Sequence, residues 1–90
     1  MKAAAEISRS KTSLQAATFA TNSGLRLLRV GDVKGAIAQF QSAINLAPDY
    51  APGHYHLALA LEREGASAQA EAEFQKAAAL DPRLKRPTRH

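Results

Sequence analysis

The feature that most constrains this chain is a stretch of sequence that occurs twice. Residues 31–48 read GDVKGAIAQFQSAINLAP, and residues 65–82 read GASAQAEAEFQKAAALDP. All the matched pairs share the same offset in residue number (65 − 31 = 34). A shared offset of this size predicts an internal structural repeat. The matched pairs include Gly31 and Gly65, Ala36 and Ala70, Phe40 and Phe74, Gln41 and Gln75, Ala43 and Ala77, Leu46 and Leu80, and Pro48 and Pro82.

Each repeated residue type has a physical role in a helical hairpin. A glycine at position 31 supplies the left-handed backbone of a tight turn before a helix. An alanine at position 36 keeps one helix face thin, so that a neighbouring helix approaches closely. Phe40 lies one helical turn further on and fills the space beside that contact. Pro48 then prevents the helix from continuing, because proline lacks an N–H and its ring clashes with the preceding turn.

This pattern resembles the tetratricopeptide repeat, in which a pair of antiparallel helices recurs with the same period. The resemblance covers residues 17 to about 84. Two positions depart from the family pattern: its tryptophan position holds Ala20 and His54, and its leucine position holds Ser23 in the first copy. The positions that carry the resemblance are Gly24, Leu27, Gly31, Ala36, Phe40, Ala43 and Pro48 in the first copy, and Leu57, Ala58, Leu61, Gly65, Ala70, Phe74, Ala77 and Pro82 in the second.

The resemblance implies an all-α fold of antiparallel helix-turn-helix repeats, stacked as a short right-handed solenoid. Residues 17–50 form the first tetratricopeptide-like repeat, and residues 51–84 form the second. Residues 1–16 are predicted to be an N-terminal helical extension, and residues 85–90 a disordered basic tail.

The first expected helix ends at Val30. The other three are expected over about 33–46, 52–64 and 67–80. Asp32 is placed to cap the second helix. The start of the first helix is open: apolar residues near one face favour a single helix from about Ala3. Thr12 with Gln15 resembles a capping box, which favours a break near residues 8–12.

Composition limits the class of protein further. Ninety residues predict one small domain, and the alanine content within the 46% of hydrophobic residues favours helix over strand. The chain has no cysteine, so disulfides and thiolate metal sites are excluded. No signal peptide or membrane-spanning run is seen, and cytoplasm is the default expectation.

The sequence contains no pattern typical of catalysis or of a bound cofactor or metal. His54 and His56 are two residues apart on a helix, so they face different directions and cannot share a metal. His54 is interpreted as a packing residue. Glu62, Glu64, Glu71 and Glu73 are expected on solvated helix faces. No nucleophile motif or phosphate loop is present, and the chain is not expected to be an enzyme.

What remains is the concave surface that the family uses to hold peptides or helices. Leu25, Leu28 and Leu59 are expected to form an apolar strip on it, open to a partner helix. The alternative is that the chain's own N-terminal segment, or a second copy, covers this strip. Carried over by position, the groove residues are Thr18, Thr21, Leu25, Leu28 and Arg29 from the first repeat, and Tyr55, Leu59, Glu62 and Arg63 from the second.

The leading interpretation is therefore a non-enzymatic scaffold that binds a protein or peptide of unknown identity in this groove. A first alternative is a self-assembling structural unit, a homo-oligomer joined through uncapped helical edges. The last helix is more polar than its earlier copy, with Glu71 in place of Ile37 and Ala78 in place of Ile44, as suits a terminal helix. A second alternative, binding to nucleic acid or an acidic polymer, rests only on the net charge of +4.

Overall fold

A computed structural model describes the backbone of residues 2–85 and the side chains of residues 12–85. It contains four α-helices, and no strand occurs within the described residues. The fold is all-α, as expected. The helices are α1 (Lys2–Arg29), α2 (Val33–Leu46), α3 (Ala51–Arg63) and α4 (Ser67–Leu80).

α1 is unbroken through residues 8–12, so the first helix is a single long helix and has no break there. At 1.5 Å per residue, its 28 residues measure about 42 Å, twice the length of the 14-residue α2. Residues 86–90, most of the expected basic tail, lie outside the described residues.

Both hairpin turns use glycine in a left-handed conformation, with φ of 89° at Gly31 and 88° at Gly65. After the first turn, the Asp32 N–H donates to the Leu27 carbonyl at 2.8 Å and the Gly31 N–H donates to the Leu28 carbonyl at 3.1 Å. This is the hydrogen-bond pattern of a Schellman motif, which satisfies the last carbonyls of α1. The second turn repeats it at Gly65. The repeated glycines are therefore required by the backbone of the turns.

The two hairpins stack in chain order. α1 packs on α2 and α3 packs on α4; α2 also packs on α3, and α1 lies beside α3. This is the arrangement expected for antiparallel helix-turn-helix repeats. Because α1 and α3 are neighbours, the first helices of the two repeats form one continuous surface.

Two phenylalanines and several alanines form the core. Phe40 is fully buried and Phe74 is 2% exposed. Ala36 and Ala70, each one turn earlier, are fully buried too. The thin alanine faces allow close approach of the helices, and the rings fill the remaining volume. The other buried apolar residues of the repeats include Ala43, Leu57, Ala58, Leu61 and Ala77.

The expectation that Glu73 lies on a solvated face is wrong. Its side chain is only 14% exposed, because Oε1 lies 2.7 Å from Nδ1 of the buried His54 imidazole. His54 occupies the position where the repeat family has tryptophan, and it is 7% exposed. It packs as expected, but it also connects α3 to α4 by a polar contact that the sequence spacing does not indicate.

Candidate partner-binding surface

The neighbouring faces of α1 and α3 carry four half-buried apolar side chains. Leu25 and Leu28 lie on α1, and Tyr55 and Leu59 lie on α3. All four pack against the main core cluster. Each keeps part of its surface exposed, so these residues form an apolar strip that packs on the core on one side and faces solvent on the other. We call this set the groove strip.

At one end of the strip, Leu28, Leu59, Glu62 and Arg63 line an open depression of about 450 Å³. Here the Arg63 guanidinium Nη1 donates a hydrogen bond to the Leu28 carbonyl at 3.2 Å. A positively charged group near the last carbonyls of a helix is favourable. This contact connects the C-terminal ends of α1 and α3 across the depression.

Tyr55 is held in place by aromatic neighbours. Its ring meets the Phe74 ring edge-on, with centroids 5.8 Å apart. Tyr55 also meets the ring of His56 edge-on at 5.5 Å, and His56 stacks on Phe40 at 5.8 Å. Edge-to-face and stacked pairs at these separations are favourable. The two core phenylalanines therefore support the α3 side of the surface through Tyr55 and His56.

The role of His56 as a support for Tyr55 is evident only from the three-dimensional packing. Burial lowers the pKa of the His56 imidazole, because desolvation disfavours its charged form. Its Nδ1 atom is buried without a hydrogen-bond partner. The neutral ring thus acts as part of the aromatic support.

The repeat pattern places Thr21 in the groove, but its side chain is only 3% exposed. Its Oγ1 atom is buried and makes no hydrogen bond. Thr21 therefore lies beneath the surface, and its side chain is not available to a partner there. Thr18 and Arg29, from the same expected set, are both exposed.

A second depression, of about 600 Å³, lies between α1 and the link that joins α2 to α3. The apolar walls include Leu14 and Leu46, which are 46% and 45% exposed. The Thr18 hydroxyl, which donates to the Leu14 carbonyl at 2.9 Å, lies 3.4 Å from the Tyr50 hydroxyl. The repeat pattern does not indicate this site, because Leu14 precedes the first repeat. We call this depression the link notch; its lining is Ser13, Leu14, Leu46, Ala47, Pro48, Asp49 and Tyr50.

Nothing in the described part of the chain resembles a metal site or a membrane span. No three His, Cys, Asp or Glu residues within it are grouped so that they could hold a metal ion. None of its helices combines the length and apolar character needed to cross a bilayer.

Comparison with known protein families supports the repeat. A family model described as TPR repeat matches residues 24–65. The match begins at Gly24 in the first helix of the first repeat and ends at the turn glycine of the second. No curated protein and no solved structure matches the chain at a significant level.

Proposed function

We infer the function from the premise that this chain carries tetratricopeptide repeats, which generally mediate protein–protein interactions. We propose that it is a non-enzymatic scaffold, and that it holds a peptide or helix of another protein on the groove strip. The observation that carries the proposal is the strip itself: Leu25, Leu28, Tyr55 and Leu59 are half-buried on two adjacent helices.

The strip suits a partner with apolar side chains along one face. Burying a leucine completely is worth about 1.5–3 kcal/mol, so burying the exposed parts of three leucines supplies a fraction of a micromolar affinity. Arg63 and Glu62 stand at one end, where charges select the direction of the bound segment more than they add affinity. An amphipathic helix, or an extended peptide with alternate apolar residues, provides the matching surface.

The packing of the groove strip on the core also favours this function. The core cluster holds the leucines and Tyr55 in position before a partner arrives, and a preformed surface lowers the entropy cost of binding. The hydrogen bond from Arg63 to the Leu28 carbonyl adds a direct contact between α1 and α3 at the depression.

A library of random peptides displayed for selection tests the proposal even though the natural partner is unidentified. Binders are selected on the wild-type chain, and their affinity is then measured on Leu59→Ala and on Leu80→Ala. Leu80 is 45% exposed at the end of α4, away from the strip, so it serves as the matched control.

We expect Leu59→Ala to weaken binding by roughly 10-fold or more, the equivalent of about 1.4 kcal/mol. Leu80→Ala is expected to leave the affinity unchanged. Circular dichroism on both variants establishes that the helices persist. Binders that tolerate Leu59→Ala but are lost with Leu80→Ala contradict the proposal, and so does a selection that yields no binder.

Self-association is a second candidate, and a specific observation favours it. Phe19 is 69% exposed on α1, and Leu14 and Leu46 are each nearly half exposed in the link notch. Exposed apolar groups of this size gain free energy when a second copy covers them. Light scattering across a range of concentrations separates the candidates: a dimer abolished by Phe19→Ser supports self-association, and a monomer at every concentration excludes it.

A further inference from the structure

The contact between α2 and α3 places a large side chain of α2 against a small residue of α3. A Cβ atom added to Gly53 would lie 3.0 Å from Cγ2 of Ile44 and 3.7 Å from Cβ of Ala43. The short link makes the two helices antiparallel, and seven residues span about two helical turns. Ile37, about two turns before Ile44, is therefore expected to face the residue two turns after Gly53. That residue is Ala60, a fully buried member of the core cluster on which Ile37 packs.

The two outer helices carry the same positions with the sizes exchanged. In the repeat, α1 is the equivalent of α3, and α4 is the equivalent of α2. Phe19 of α1 stands where α3 has Gly53, and Ala78 of α4 stands where α2 has Ile44. A contact of α4 on the α1 of a second copy would therefore again combine one large and one small side chain.

The second pair of positions exchanges two apolar residues for opposite charges. Arg26 of α1 stands where α3 has Ala60, and Glu71 of α4 stands where α2 has Ile37. Both charged residues are exposed. Nη2 of Arg26 donates to Oγ of Ser23 at 3.2 Å, a contact within α1. The register that places Ile37 beside Ala60 would place Glu71 of one copy beside Arg26 of the next, and opposite charges at an interface fix its register.

These positions are covered on α3 and open on α1. Gly53 and Ala60 are buried on α3, which packs on α2. The side chain of Phe19 is 69% exposed, and Arg26 is exposed too. Within the described residues α1 packs on α2 and α3 and makes no contact with α4, so the two outer helices lie at opposite ends of the stack. We call Phe19 and Arg26 the α1 end face, and Glu71 and Ala78 the α4 end face.

We propose that copies of this chain stack head to tail, with the α4 end face of one copy on the α1 end face of the next. The interface joins two different surfaces, so each added copy leaves one end face open and further copies can add. The proposal specifies which surfaces meet in the self-association candidate. It does not rest on peptide binding, because neither end face includes a residue of the groove strip.

Charge disfavours the obvious alternative, a two-fold pairing of α1 with α1. Within residues 12–29, the charged residues of α1 are Arg26 and Arg29, and both are exposed. Two copies of this helix would bring like charges together, which is unfavourable at an interface. The α4 end face supplies the opposite charge instead.

The chain that leaves α4 has to move when a second copy docks. The Leu84 N–H donates to the Asp81 carbonyl at 2.9 Å, as the Tyr50 N–H donates to the Ala47 carbonyl at 3.0 Å in the link before α3. Lys85 therefore starts along the path that α3 takes beside α2. The α1 of the second copy needs this space, so we expect Leu84 and Lys85 to turn aside on association.

Two variants that each block one end face test the proposal. Phe19→Glu blocks the α1 end face, and Ala78→Arg blocks the α4 end face. Ala72→Arg is the matched control, since Ala72 is an exposed alanine of α4 that lies about 100° from Glu71 around the helix. Sedimentation velocity is measured over a range of concentrations for the wild type, each variant, and an equimolar mixture of Phe19→Glu with Ala78→Arg. Circular dichroism establishes that every variant is helical.

The wild type and Ala72→Arg are expected to associate increasingly as concentration rises. Phe19→Glu and Ala78→Arg are each expected to stay monomeric alone, and their mixture to form a 1:1 dimer that grows no further. In that dimer the amide resonances of Leu84 and Lys85 are expected to shift in the Phe19→Glu chain, whose α4 end face is occupied. A wild type that is monomeric at every concentration overturns the proposal. So does a mixture that stays monomeric, or an Ala78→Arg variant that associates alone as strongly as the wild type.

Charge reversal gives a second readout of the same interface. Arg26→Glu and Glu71→Arg are each expected to weaken association by about 10-fold or more, because each places like charges together. The two substitutions in one chain are expected to restore it, since each interface takes one of them from each copy. A combined variant that associates no more tightly than either single variant contradicts the head-to-tail arrangement.

Discussion

The Phe40 ring lies directly against the backbone of Gly24, where α2 packs on α1. A Cβ atom added to Gly24 would lie 2.5 Å from Cε1 of the ring and 2.8 Å from Cδ1 and Cζ. No real carbon makes such a contact, so one of the two residues would have to move. Phe40 is fully buried, so its ring is enclosed by other groups of the core. The small residue at position 24 is therefore the reason that the first hairpin closes around its phenylalanine.

We predict that Gly24→Ala destabilises the chain. Replacing a helical glycine by alanine ordinarily gains about 1 kcal/mol, but overpacking a core costs about 1–3 kcal/mol. The clash involves several ring atoms, so the net change in the free energy of unfolding is expected to be a loss of about 1–2 kcal/mol. Urea unfolding followed by circular dichroism measures it.

Gly53→Ala is the matched control for this prediction. Gly53 is also helical and buried, but an added Cβ would have the Ile44 Cγ2 methyl, at 3.0 Å, as its nearest neighbour. A methyl group on a side chain moves by a small distance more readily than a fully packed ring. We expect Gly53→Ala to be less destabilising than Gly24→Ala, and the reverse order would contradict the packing described for Gly24.

The start of α4 lacks a cap that the start of α2 has. The Asp32 carboxylate accepts a hydrogen bond from the Gly35 N–H at 2.9 Å, whereas Ala66, the equivalent residue of the second repeat, has no side chain able to accept. The two residues share a similar backbone, with φ of −85° and −87°. We predict that Ala66→Asp stabilises the chain by about 1 kcal/mol and Asp32→Ala destabilises it by a similar amount. Thermal unfolding tests both, and a loss of stability in Ala66→Asp would contradict the equivalence of the two helix starts.

The burial of His56 predicts a pH dependence of stability. Burial lowers the pKa of the His56 imidazole, so the unfolded chain accepts a proton more readily than the folded chain. Stability is therefore present above the unfolded value of about 6.5 and is lost as pH falls below it. We expect His56→Phe to reduce this slope between about pH 6.5 and 5, measured by urea unfolding. An identical slope in the variant would show that His56 does not cause it.

The sequence predicts the repeat well because the repeat rests on local rules. A constant offset, turn glycines and terminal prolines each constrain the backbone within a few residues, so α2 and α4 begin and end where the pattern places them. Gly31 and Gly65 have the positive φ that their position requires. These features need no knowledge of which helix packs on which.

Contacts between residues that are distant in the sequence cannot be predicted in the same way. Glu73 looks like a solvated acid because glutamate is ordinarily exposed, and only the packing of α3 on α4 brings it to His54. Thr21 lies at a groove position in the repeat, yet it is buried. The link notch combines Leu14, which precedes the repeats, with the link between them. Each case depends on how side chains from separate helices share space, which residue spacing does not determine.

The central claim is that the chain binds a polypeptide on the groove strip, and methyl NMR tests it most directly. The leucine methyl groups are labelled, and a peptide selected on the wild-type chain is titrated in. We predict that the methyl resonances of Leu25, Leu28 and Leu59 shift on binding, while those of Leu14, Leu46 and Leu80 do not. Shifts confined to Leu14 and Leu46, or to Leu80, would place the partner elsewhere and contradict the account.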